Sequence, residues 1–141
     1  MKQADFKKLG LDYDILDKEF DLEQISSLRD LLDKMFSKTS SYIGLLEDIM
    51  QPDSISTMHE ANFLRTHKFS KIQELYKELM KLNRDILLVK LDYSKENVLN
   101  LINQFLISWT KIKPDLIILV KEMRDSWNKT VIHKQDGGYF G

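Results

Sequence analysis

Apolar residues recur along this chain in steps of three and four. From Ile25 the series runs Leu28, Leu32, Met35, Thr39, Tyr42, Leu46 and Ile49, a heptad seam with one polar member. Such steps keep side chains on one face of a helix. Leu31, Phe36, Ile43, Leu45 and Met50 widen that face, which predicts burial in a bundle rather than in a narrow two-stranded coil. A second series starts irregularly with Met58, Ala61, Leu64 and Phe69. It becomes regular at Ile72, Leu75, Leu79, Leu82, Ile86 and Val89. A third runs Val98, Ile102, Phe105, Trp109, Ile112, Leu116, Leu119 and Met123, with Trp127 and Val131 flanking its continuation.

Turn signals separate these runs. Gln51-Pro52-Asp53-Ser54 ends the first, because Pro cannot extend a helix that precedes it. Asp92-Tyr93-Ser94 divides the second from the third, with Asp92 or Ser94 as N-cap. Asp21-Leu22-Glu23-Gln24 and Thr57-Met58-His59-Glu60 read as capping boxes opening the first and second helices. Gly44, inside the first helix, suggests a close helix–helix approach. The third seam keeps its phase across Pro114. One helix from 95 to about 133, kinked at Pro114, is therefore expected. A break there would give a fourth helix instead. Residues 1–21 form a lead-in arm with one short amphipathic helix around Leu11, Ile15 and Leu16.

Short connections make consecutive helices antiparallel. The expected fold is all-α: an elongated antiparallel bundle of three long helices, each about 45–55 Å long, with the N-terminal arm packed against them. It becomes a four-helix bundle if Pro114 breaks the last helix. Residues 1–135 make one domain, and 136–141 a flexible tail.

Composition narrows the function classes. With 43% hydrophobic and 30% charged residues, the chain is globular rather than disordered. It has no Cys, which removes disulfides and thiolate metal sites and fits a reducing, cytoplasmic setting. The start, Met1 to Lys8, lacks the apolar core of a signal peptide, and the longest apolar run, Leu116 to Val120, is too short to span a bilayer. The sequon Asn128-Lys129-Thr130 is accordingly read as chance. Net charge is −1, so no global field draws the protein to nucleic acid or membrane. The charge is split, however. Residues 1–56 hold 7 Lys/Arg against 12 Asp/Glu, and residues 57–141 hold 14 against 10. Either an acidic first helix packs beside more basic ones, or a basic face is left exposed for an acidic partner.

Catalytic and metal chemistry find little support. Asp12, Asp14 and Glu23 sit at spacings resembling a calcium loop, but Leu16 and Asp17 occupy the positions that need an oxygen ligand and a glycine. His59, His67 and His133 have no Glu three residues before them, so the Glu-x-x-His pairs of di-iron bundles are absent. They read as surface histidines. Around His67 the run Thr66 to Lys71 suggests a phosphotransfer helix, with Ser70 as the small residue, but its lysines fall in the wrong order. Activated nucleophiles need a base and an orienting group, and no Gly-x-Ser-x-Gly, Cys or Gly-rich loop supplies one. No catalytic residue, metal or cofactor is expected.

The positive signal is apolar. On the third helix Leu99, Leu106, Ile107, Ile117, Ile118 and Val120 lie off the heptad seam. A helix apolar on most sides should be nearly surrounded. Either the arm covers that second face or another chain does. With Tyr139 and Phe140 of the tail, these residues are the expected protein interface, for a partner or a second copy. The first expectation is a non-catalytic interaction module: an assembly factor, adaptor, chaperone-like protein or immunity-type binder. Two alternatives remain. One is a nucleoprotein subunit that contacts phosphates through Lys68, Lys71, Lys111, Lys113, Lys121 and Arg124. Acidic residues interleave that face, and Lys outnumbers Arg, the better base reader. The other is a phosphotransfer domain at His67.

Overall fold

A computed structural model of the chain describes residues 2–129, with every side chain among them except those of Thr66 and His67. The described residues form an all-α bundle without strands. Two short helices, α1 (Gln3–Lys8) and α2 (Tyr13–Phe20), precede a single 3-10 turn at Leu22–Gln24. Three long helices follow: α3 (Leu28–Met50), α4 (Ile55–Leu91) and α5 (Lys95–Ser126). Val131, His133, Tyr139 and Phe140, and the tail they belong to, lie outside the described residues.

The arm is two helices rather than one. Gly10 parts them at φ 74°, where the αL backbone favours glycine. The Gly10 amide donates to the Lys7 carbonyl and the Leu11 amide to the Phe6 carbonyl, the pair of bonds that closes a Schellman cap. Phe6, Leu11, Leu16, Phe20, Leu22 and Ile25 are all buried, so the arm belongs to the core.

Helix starts depart from the expected caps. Asp21 does not open α3; it sits in the αL region and ends α2. The cap of α3 is Ser27, whose hydroxyl accepts from the Asp30 amide, while Asp30 accepts from the Ser26 amide. With its later start α3 has 23 residues, about 35 Å, and is shorter than its neighbours. Ser54, not Thr57, caps α4, with Thr57 answering back to the Ser54 amide. Ser94 caps α5. Helix α5 runs unbroken through Pro114 and ends at Ser126. Gly44 marks no close approach, since a Cβ there would meet nothing within 4 Å.

The long helices are antiparallel in sequence order. Lys90 with Asp33, Asn83 with Thr39, and Tyr76 with Glu47 set the register of α3 on α4. Lys71 with Asp115 and Lys68 with Glu122 set that of α4 on α5. Every heptad residue of α5 from Val98 to Met123 is buried. Among the described residues four buried polar side chains sit among the apolar ones: Thr39, His59, Asn83 and Ser126. Asn83 donates to both Thr39 (3.0 Å) and Ser40 (3.1 Å), a polar layer that ties α3 to α4 at one register. His59 corrects the expectation of a surface histidine. It is 3% exposed, its Nε2 lies 2.8 Å from the Ser126 carbonyl, and its ring packs, tilted by 34°, against Trp127 at 4.3 Å.

Candidate protein interface

The arm and α5 meet at one carboxylate. Glu19 accepts from Lys113 Nζ (2.6 Å), Trp109 Nε1 (2.9 Å) and Lys38 Nζ (3.0 Å), joining α2, α3 and α5. Lys38 also donates to the Glu19 carbonyl and lies over the Phe20 ring at 4.8 Å. Phe20 packs against Phe105 (5.6 Å), and Phe105 stacks on Trp109 (5.9 Å). Burial alone would raise the Glu19 carboxyl. The bonds from Lys113, Lys38 and Trp109 outweigh it, and the group is held below its ordinary value.

Beside this junction α2, α3 and α5 enclose an open groove of about 440 Å³. Tyr42, Trp109, Leu116, Ile117 and Val120 supply its apolar walls. Lys18, Lys38, Lys113 and Lys121 rim it, with Glu19 between them. On the other side of Ile117 a second groove, about 420 Å³, runs past Ile15, Leu106, Pro114 and Ile118. On the far side of Ile118 a third, about 270 Å³, lies between α5 and α4 under the Lys68–Glu122 and Lys71–Asp115 ion pairs. Thus Ile117 and Ile118 form ridges between troughs. They are 45% and 51% exposed, close to Val120 at 43% and Ile15 at 47%.

The sequence-derived interface residues divide in two. Leu99 and Leu106 are half-buried against the core. Ile107, Ile117, Ile118 and Val120 are exposed. The arm therefore covers part of α5 and leaves exposed Ile107, which lines none of the three grooves, and the apolar row of the C-terminal half. Other exposed apolar side chains, such as Leu88, Leu91 and Ile55, line none of these three grooves. Trp127 is half-exposed rather than core, and donates to Glu60 (3.1 Å).

The expected basic face is largely neutralised. Lys68 pairs with Glu122, Lys71 with Asp115, Lys113 with Glu19 and Arg124 with Asp125. Lys111 and Lys121 have no ion-pair partner among the described residues. The His67 side chain is not among those described. Sequence reasoning missed Ile15, Lys18, Glu19, Lys38 and Tyr42. Each joins the site only when the arm folds across α3 and α5, as the Glu19–Lys113 separation of 94 positions illustrates. The available signal was the position of Glu19, four residues after Ile15 and three after Leu16, on the apolar side of the arm helix.

Among the described residues no group of three or more His, Asp or Glu side chains could hold a metal ion. No helix among them is long and apolar enough to cross a membrane. No protein-family model, curated protein or solved structure matches the chain.

Proposed function

We infer that this chain is a non-catalytic interaction module that holds another protein against the C-terminal half of α5. Roles of this kind include assembly factor, adaptor, chaperone-like protein and immunity-type binder. The observation that carries the inference is the row Ile117, Ile118 and Val120, exposed together with Ile15 and flanked by grooves on both sides. Single exposed apolar residues are ordinary; a contiguous ridge between grooves marks an interaction surface. The absence of Cys supports a working place in a reducing compartment such as the cytoplasm.

A photo-crosslinking residue at position 117 or 118, expressed in the cell of origin, tests this. Discrete adducts are expected from both positions and none from Lys77, an exposed control on α4. The adducts should persist at high salt, because apolar burial is not screened. Adducts no stronger than the Lys77 control, from a chain that light scattering shows to be a monomer, would sink the proposal.

A further inference from the structure

The chemistry of the first groove selects among partners. Four lysines rim it against one glutamate, and that carboxylate is already shared by Lys38 and Lys113. Lys18 and Lys121 are exposed and have no ion-pair partner among the described residues. The rim therefore carries uncompensated positive charge around apolar walls.

The shape is that of a missing helix. Helices α3 and α5 both pack on α4, and α2 fills the space between them at Phe20 and Glu19. Past Trp109 no described residue fills that space as far as Lys121. Along it α5 presents Lys113, Ile117, Val120 and Lys121, spaced i, i+4, i+7 and i+8, the stripe that a second helix packs against. We propose that this groove binds an amphipathic helix of another protein, whose apolar stripe is flanked by Asp and Glu.

Charge argues against two other occupants. A second copy docked about a two-fold axis would set Lys18, Lys113 and Lys121 of one chain against the same residues of the other. An anionic membrane would satisfy the lysines. However, Trp109 and Leu116 are 4% and 3% exposed and lie recessed in the groove, where a flat bilayer surface gains little from them. A helix can reach in with single side chains.

The proposal rests on the interaction-module reading and is tested separately from it. Two labelled synthetic helical peptides, each about five turns long, carry the same Leu stripe. One is flanked by Glu and the other by Lys. Their binding to the intact chain is followed by fluorescence anisotropy. The Glu-flanked peptide should bind about fivefold to tenfold tighter, the gain expected from a few exposed charge pairs. The preference should invert in the double variant Lys18→Glu/Lys121→Glu, which breaks no ion pair among the described residues. Ile117→Asp should abolish binding of both peptides with the helical content unchanged. Equal affinities that Ile117→Asp removes would overturn the acidic selectivity and leave the module reading standing. The proposal also fails if neither peptide binds up to about 1 mM, weaker than useful recognition. It fails too if the chain binds phosphatidylserine vesicles instead, or dimerises through Ile117.

Discussion

The two described glycines answer the same substitution in opposite ways. At Gly10 the backbone lies at φ 74°, where a Cβ crowds the following carbonyl. Gly10→Ala should cost about 1 kcal/mol and loosen the cap between α1 and α2. Gly44 sits in the interior of α3 with open space where its Cβ would be. Gly44→Ala should stabilise by up to about 1 kcal/mol, raising Tm by roughly 3 °C in a chain of this size. Paired thermal melts check both. A destabilising Gly44→Ala would mean that the space beside Gly44 is filled in solution, by a closer helix approach or by a second copy of the chain. Local residue-scale signals also explain what the chain discloses about itself. Ser27 and Ser54 are recognisable caps, yet Asp21 and Thr57 fit the same pattern three to six positions away. Only the register of the whole helix decides between them. His59 offered no local sign of burial, because its contacts, Ser126 and Trp127, lie 67 and more positions along the chain.

At the scale of elements, the arm is the part whose stability can be read directly. Phe6 is fully buried at the far end of it. Phe6→Ala should cost about 3–5 kcal/mol, as for other buried aromatics, if the arm folds with the bundle. A much smaller loss in urea titration would show instead that the arm detaches on its own. Glu19 gives the arm a pH dependence. Its folded-state carboxyl is held below the ordinary value of 4.5 by Lys113, Lys38 and Trp109, against the effect of burial. A depressed carboxyl contributes stability above its ordinary value and loses it as pH falls through the folded one. The arm should therefore loosen as pH drops below about 4.5. Glu19→Gln should already be weaker at neutral pH, by about 1–3 kcal/mol for the lost charged bonds, and should show a shallower acid dependence. Urea midpoints of both proteins from neutral pH downward measure this. Parallel acid curves would remove Glu19 from the account. The seam of α5 was legible in full, since a buried helix must repeat its apolar residues every turn. The arm's place on α5 was not, because contacts such as Glu19 with Trp109 and Lys113 join segments with no shared periodicity.

Across the whole molecule, protection against opening should fall from one end to the other. At the end bearing the polar layer, α3, α4 and α5 lie together, and Met35, Leu79, Ile86 and Phe105 are fully buried. At the opposite end α3 stops short. The Arg65 side chain, almost three turns into α4, reaches back to the Met50 carbonyl at the end of α3. Beyond it the first turns of α4 pack chiefly on the last turns of α5, through His59 with Ser126 and Glu60 with Trp127. His59 Nδ1 is buried there with no hydrogen-bond partner among the described residues. Regions with fewer packed neighbours open below the global unfolding free energy. Amides of residues 57–63 and 120–126 should therefore exchange with solvent by local opening, well before those of 79–86. The latter should exchange only by global unfolding. The same end, where only α4 and α5 pair among the described residues, carries Val120 and Lys121 of the proposed groove. A bound helix packed there would act as the missing neighbour, so the acidic peptide should slow exchange in 116–123 more than in 79–86. Uniform protection along α4 and α5 in the free protein would mean that the two-helix end is as cooperative as the rest. The groove would then be a preformed notch in a rigid bundle, not a surface that its partner completes.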